Sequence, residues 1–353
     1  MESPKSLKAR NLELYESERA QKKTAFESYP PSLQLELTTR CNQSCPICAR
    51  NYYDRSLNPP TDMSMALLEK LEPAIARAKD VVLGGYGEPL IAKNFAGAVR
   101  FLKDRSCEVE VITGVVPLES KELRELVAGL GVDRLRLSVD GTTDETLARL
   151  RGISAARAFA IVNELSKLAT GGRPKLSINF TANLVNISEL PRLVEMAADW
   201  NVSSVSVFFQ KIYTRAQAHI SVFLDPARTA AEIERARDVA ARFGIELNAP
   251  DVTKREVPCA QPLEFLFICA DGEVLGCCSG VFKGHPWRLA LGRIEEADIH
   301  ELWNHPALQS FRKAFYEGRP ELYPEPCRAC AFRVHSIESY YRFLNHRAGR
   351  GKP

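Results

Sequence analysis

The stretch Thr38-Thr39-Arg40-Cys41-Asn42-Gln43-Ser44-Cys45-Pro46-Ile47-Cys48 (residues 38–48) decides how the rest of the chain is read. It directly follows a short apolar run, 33–37, that reads as a first β-strand. In parallel βα folds, the loops beyond the strands' C-terminal ends carry the chemistry. Cys41, Cys45 and Cys48 lie within eight residues. Thiolates so spaced suit a four-iron cluster and leave one iron without a protein ligand. An open coordination position is what a catalytic metal site keeps. A zinc site or unrelated buried thiols compete with this reading, but zinc asks for a fourth ligand and no His lies nearby.

Outward from that loop the sequence alternates between strand and helix patterns. Strands are expected at 33–37, 81–83, 109–113, 135–139, 176–181 and 205–209. Amphipathic helices are expected at 65–78, 93–104, 121–128, 142–150 with 155–169, and 187–200. Alternating βα units imply a parallel sheet with right-handed crossovers. Six units suggest an α/β fold of the open, partial-barrel kind. A long helix at 226–243 ends at Gly244, a suitable C-cap. The rhythm then changes to a hairpin, 265–269 and 273–276, around Ala270-Asp271-Gly272. A helix at 306–317 leads to Cys327-Arg328-Ala329-Cys330. The expected organisation is a helical arm (1–30), a partial barrel (31–245) and a small α+β domain (246–353).

Composition excludes several classes. The 353 residues carry a formal net charge of +3, with no block of basic residues, which argues against nucleic acid or an acidic membrane as partner. The N-terminal segment is charged and lacks the apolar core of a secretory signal, so a cytoplasmic protein without a membrane anchor is expected. In a reducing compartment ten cysteines point to metal or catalysis rather than disulfides.

Two further segments sit at strand ends. Gly84-Gly85-Tyr86-Gly87-Glu88-Pro89 follows the second strand, where glycines permit a close backbone approach. Ser138 and Asp140 end the fourth strand on one face, followed by Gly141. Asn179 and Asn183 lie at the end of the fifth strand. Late in the chain, Cys259, Cys277, Cys327 and Cys330 combine a hairpin with a CxxC knuckle. Such a set closes around either zinc or an iron–sulfur centre.

Together these motifs resemble the radical S-adenosylmethionine (SAM) superfamily. CNQSCPIC is similar to its CxxxCxxC signature. The resemblance implies that Cys41, Cys45 and Cys48 bind a 4Fe–4S cluster whose open iron is chelated by SAM. Reductive cleavage then gives methionine and a 5′-deoxyadenosyl radical that abstracts hydrogen from substrate. Ile47 stands where the family often has an aromatic residue and offers its backbone to the adenine. Gly84, Gly85, Gly87 and Glu88 resemble the GGEP-type motif that meets the SAM amino group. Ser138 and Asp140 resemble the SxDG strand, with the serine near the SAM ribose or carboxylate. Asn179 or Asn183 would serve the ribose. Arg151, in a recurrent Arg-Gly, would pair with a carboxylate, although a solvated arginine is the ordinary alternative.

The region from Asp271 to Cys330 resembles the C-terminal SPASM or twitch extension. No cysteine follows Cys330, so the shorter twitch form is implied, as in the butirosin-pathway dehydrogenase class. It would hold one auxiliary 4Fe–4S cluster on Cys259, Cys277, Cys327 and Cys330. Cys278 adjoins Cys277 and is either a substitute ligand or a thiol that returns hydrogen to a substrate radical. A flavodoxin- or ferredoxin-type protein is the expected electron donor. The outcome would be oxidation, epimerisation or dehydration. Fewer than 35 residues precede the first strand, too few for a winged-helix peptide-recognition module. The expected substrate is therefore a small polar metabolite, such as a sugar, aminocyclitol or nucleoside. Gln210, Lys211, Tyr213 and Arg215 are offered as its pocket. A maturase for a ribosomally made peptide is the alternative, and a structural zinc protein the remote one.

Overall fold

The computed structural model describes residues 4–169, 172–254, 256–285, 287–328, 330 and 333–340. Its strands are β1 (Ser32–Leu35), β2 (Asp80–Leu83), β3 (Glu108–Gly114), β4 (Arg134–Ser138), β5 (Lys175–Ala182), β6 (Val202–Phe209), β7 (Glu246–Asn248), β8 (Phe265–Ile268), β9 (Glu273–Leu275) and β10 (Ala290–Arg293). The helices used below are α1 (Pro4–Ala20), α2 (Met65–Lys70), α3 (Glu72–Ile75), α4 (Phe95–Asp104), α5 (Lys121–Gly129), α6 (Asp144–Arg151), α7 (Ala155–Leu168), α8 (Leu190–Asp199) and α9 (Pro226–Phe243). The chain forms two compact units: Met1–Cys41, Asp54–Val111 and Pro258–Arg333, then Asn42–Tyr53, Ile112–Val257 and Val334–Pro353.

In the first unit the strand order is β10-β9-β8-β1-β2-β3. β8, β1, β2 and β3 run parallel, while β9 and β10 are antiparallel. The hairpin seen in the sequence therefore joins the sheet at β1, with Ser32 opposite Phe265 and Leu35 opposite Ile268. Leu33, Leu35, Val81, Leu83, Val109 and Val111, alternate residues of the three strands, are fully buried on one face, while Gln34 and Val82 on the other are half-buried. The N-terminal arm is anchored here: the Tyr15 hydroxyl donates to the Leu263 carbonyl at 2.9 Å and Lys8 Nζ to that of Ile75 at 2.8 Å. Arg312, fully buried, lies over the rings of both Phe26 (4.1 Å) and Trp303 (4.2 Å) and donates to the carbonyls of Thr24 and Trp303.

In the second unit β4, β5, β6 and β7 are parallel neighbours. Every second residue of β5, Leu176, Ile178, Phe180 and Ala182, is buried. The intervening face is half-exposed and polar. Across it Ser138, Asn179 and Ser206 stand in register on three adjacent strands. Gly152 and Gly244 cap α6 and α9 with φ of 69°, in the left-handed region where a side chain is strained.

Two local expectations differ from what forms. The 65–78 helix is two helices, α2 and α3, because Pro73 has no N–H to continue the ladder and sits instead in the first turn of α3. β7 was not expected: its three residues, Glu246-Leu247-Asn248, have no apolar run and pair only through the register of β6.

Candidate active site

In the first unit, β1 leads through Thr38 and Arg40 to the half-buried Cys41. Arg40 pairs with Asp62, and the Thr38 hydroxyl donates to Asp62 Oδ1 at 2.6 Å. The glycine segment after β2 packs edge-on against this lead-in. Gly84 N–H donates to the Leu35 carbonyl (3.0 Å) and Glu88 N–H to that of Arg40 (2.7 Å). A Cβ on Gly87 would lie 1.8 Å from Thr38 O, and one on Gly85 2.6 Å from Glu36 Oε1. The close approach these glycines permit is thus, in part, to β1 itself. Glu88 is buried, and its Oε1 accepts from Leu90 N–H at 3.1 Å.

In the second unit, Cys45 is buried, Cys48 and Ile47 half-buried. A turn closes between them, Cys48 N–H donating to Cys45 O at 2.9 Å, and Asn51 Nδ2 donates to the same carbonyl. Gln43 lies where any side chain on Gly114 would collide with it. Burial pushes the Cys48 thiol up; the nearby Cys45 adds to this, while the N–H of Arg50 and the cations Arg50 and Arg151 oppose it. Burial alone would lower the Arg151 pKa, yet Asp140 and the thiols Cys45 and Cys48 outweigh it and hold the guanidinium charged. Arg151 is therefore a half-buried cation beside two of the three cysteines. A cation there fits a group held by thiolates, since it offsets their negative charge in a low-dielectric site.

Asp140 is what fixes that cation. It is fully buried; one carboxylate oxygen accepts from Arg151 Nε, the other from Thr181 N–H at 2.6 Å. Asn186 donates to the Asp140 carbonyl at 2.9 Å. Asn183 is fully buried and bonded within the fold, its Nδ2 donating to Gln210 Oε1 at 2.8 Å. Gln210 in turn accepts at its carbonyl from the Tyr340 hydroxyl at 2.9 Å. Asn179 differs: its Oδ1 is buried without a hydrogen-bond partner, beside Ser138 on the half-exposed polar face. An orphaned acceptor of that kind asks for a donor from a ligand. Of the offered pocket residues, Gln210 and Tyr213 are buried, Tyr213 stacking on Tyr52 with centroids 5.9 Å apart.

The later cysteines converge within the first unit. Burial raises the Cys259 pKa to about 11, opposed by the Gln261 N–H and reinforced by Cys330 and Cys278. Burial likewise raises Cys277, with Cys278, Cys330 and Cys327 adding, and Cys327, with Cys330 and Cys259 adding. The Ser279 N–H donates to Cys277 Sγ (3.4 Å), and its hydroxyl lies 3.2 Å from Cys330 Sγ. Among the described residues no three His, Cys, Asp or Glu side chains are grouped to hold one metal ion. A cubane gives each thiolate its own iron and asks for thiols around a cage instead. Cys277 is buried; Cys278 is half-buried, 3.9 Å from Gln261 Oε1.

Sequence reasoning overlooked Glu36 and Ser206. Glu36 shares the face of Ser32 and Gln34 by the two-residue period, and that period was the signal available. Ser206 is likewise the alternate polar residue of β6.

Two family models match the chain: the radical SAM superfamily over residues 35–197 and an iron–sulfur cluster-binding domain, SPASM, over 259–331. A PqqA peptide cyclase of Gluconobacter oxydans is 24% identical, over 86% of this chain and 83% of that protein. A tungsten-containing aldehyde ferredoxin oxidoreductase cofactor-modifying protein of Pyrococcus furiosus is 24% identical, over 85% and 87%. The crystal structure of Streptococcus suis SuiB superposes with a TM-score of 0.63 at 15% identity, over 86% of this chain and 72% of that one. No helix among the described residues is long and apolar enough to cross a membrane.

These relatives correct the expected small polar metabolite. Further PqqA peptide cyclases from several organisms match at 24–26% identity over most of their length. The expectation rested on the few residues before the first strand, and the similarity to peptide cyclases outweighs that count. Fold, cysteine loops and both matched segments agree: the chain is a radical SAM enzyme, binding SAM and 4Fe–4S clusters, and belongs to the radical SAM superfamily with a SPASM domain.

Proposed function

We propose that this enzyme is a maturase that abstracts hydrogen from a ribosomally made peptide. The observation that carries the reading is the similarity to PqqA peptide cyclases across 83% of the Gluconobacter protein. A bound SAM cluster supplies the 5′-deoxyadenosyl radical; the chain's residues hold and direct it. Cys41, Cys45 and Cys48 are the ligands of that cluster. Gly84, Gly85, Gly87 and Glu88 present backbone to the SAM amino group, and Ile47 presents its own to the adenine. Ser138 and Asn179 offer polar atoms to the ribose, Asn179 through its orphaned Oδ1. Asp140 orients Arg151. Cys259, Cys277, Cys327 and Cys330 hold one auxiliary cluster in a domain of residues 246–353, beside a barrel of residues 31–245. When bound, that second centre would supply an electron acceptor for substrate oxidation, and a flavodoxin- or ferredoxin-type protein would be the electron donor.

The test is anaerobic incubation of reconstituted enzyme with SAM, reductant and short peptides encoded beside its gene. 5′-Deoxyadenosine made in step with a mass change in one peptide is the expected result. Stimulation by sugars or aminocyclitols, with every peptide inert, overturns the reading.

A further inference from the structure

The geometry points to Glu36 as a positioning residue that ties the SAM-binding glycine loop to the auxiliary-cluster hairpin, so that each senses the other. This rests on the reading that residues 84–88 meet SAM.

Glu36 lies one residue beyond β1 and is 3% exposed. Its Oε1 accepts from Tyr86 N–H at 3.0 Å. The N–H groups of Gly87 and Ala270 also face this carboxylate and help hold it charged. Tyr86 and Gly87 belong to the glycine loop. Ala270 belongs to the turn joining β8 to β9, and β9 runs into Cys277 two residues on. Glu36 therefore holds the glycine loop through its carboxylate and the strand of the hairpin through its backbone, with Ala270 N–H facing the same carboxylate. Neither loop can move without unsatisfying a donor or dragging the carboxylate off the other.

Packing repeats the connection. The Tyr86 ring lies against Phe282, with centroids 3.9 Å apart, and against the buried cluster of Phe267, Cys269, Leu275 and Val281. Gly85 leaves no room for a side chain, because a Cβ would meet Glu36 Oε1 at 2.6 Å. The β1 backbone is bonded to the hairpin as well, Glu36 N–H donating to Ile268 O at 3.0 Å. A ligand that orders the glycine loop thus orders the turn before Cys277. By reciprocity, the state of the hairpin alters SAM affinity by the same factor.

Two variants separate this coupling from simple support. Glu36→Gln supplies one acceptor oxygen and turns an NH2 group toward backbone donors. Ala270→Pro removes the hairpin's N–H that faces Glu36 and adds a ring at a buried position, while the Tyr86 N–H bond to Glu36 keeps both its partners. Gly272 N–H bonds Cys269 O at 2.9 Å, so Ala270 is the second residue of a β-turn, where proline is favoured. Each is made as the full chain, loaded with iron and checked for iron content and urea midpoint. SAM affinity and the electron paramagnetic resonance signal of the reduced auxiliary cluster, with and without SAM, are then measured.

The wild-type auxiliary signal is expected to change when SAM binds. Glu36→Gln should weaken SAM binding about tenfold, as loss of one or two buried hydrogen bonds implies, and abolish that change. Ala270→Pro should keep SAM affinity within about threefold yet lose the response, which a merely supporting role does not predict. A wild-type signal blind to SAM, or an Ala270→Pro variant that still responds, overturns the coupling. A Gly87→Ala variant that loses stability yet binds SAM with unchanged affinity overturns instead the assignment of the glycine loop.

Discussion

Replacing Gly87 with alanine isolates the contact on which the glycine loop depends. The new Cβ would lie 1.8 Å from Thr38 O, 2.6 Å from Thr38 C and 2.8 Å from Arg40 O, all backbone atoms. Ordinary contact needs about 3.5 Å, so the loop must retreat by roughly 1.5 Å. No side chain can turn aside to absorb it. That retreat breaks the 2.7 Å hydrogen bond from Glu88 N–H to Arg40 O. Overpacking costs about 1–3 kcal/mol, and the lost bond about 1 kcal/mol more. If the loop swings out while the fold holds, the loss falls on SAM affinity at about tenfold per 1.4 kcal/mol. Gly129, in α5, is the control: no atom lies within 4 Å of a Cβ built there, so Gly129→Ala should be neutral or stabilising by under about 1 kcal/mol. The assay is SAM binding to anaerobically reconstituted enzyme, together with urea unfolding. Gly87→Ala is expected to lose at least about tenfold in affinity or about 2 kcal/mol in stability. A variant matching wild type in both would refute the packing argument.

Other expectations follow from the same geometry. Asp140→Ala leaves the half-buried Arg151 and the Thr181 N–H without their partner and should destabilise the fold by about 1–3 kcal/mol in urea unfolding. Asn179→Ala should weaken SAM binding while leaving stability near wild type, whereas Asn183→Ala should cost about 1–3 kcal/mol of stability; the reverse pattern would exchange their roles. Burial raises the Glu36 pKa to about 7, its backbone hydrogen bonds opposing. The native state then binds more protons than the unfolded one between the ordinary carboxyl range and pH 7. Stability should fall as pH rises through that window, by up to about 3 kcal/mol, and Glu36→Gln should flatten the fall in unfolding measured between those limits. Anaerobically prepared enzyme should contain about eight irons per chain, as two four-iron clusters require. In Cys41→Ala, 5′-deoxyadenosine formation should be abolished.

The local periods and turn chemistry were enough to place the parallel βα order, the 226–243 helix with its glycine cap, and the Asp271-Gly272 hairpin. Those are properties of short windows: alternation, amphipathic spacing and residues suited to positive φ. The first cysteine group was legible because its spacing is written in consecutive residues, whereas the second, spread from Cys259 to Cys330, was read through its resemblance. Tertiary structure alone decided the rest. Asn179 and Asn183 are alike in sequence, and only the packing around them shows that one is bonded inside the fold while the other keeps an orphaned acceptor. Arg151 reads as a solvated arginine until Asp140, eleven residues earlier, is seen buried against it. Glu36 draws its partners from residues 50 and 234 positions away, a separation no local pattern encodes. The short β7 exists only because β6 lends it a register. Substrate class lay beyond the motifs. Thus the cysteine loop at 38–48, read together with the segments at 84–89 and 138–141, pointed to the chemistry, whereas which polar groups serve it depended on burial, which is set by the whole chain at once.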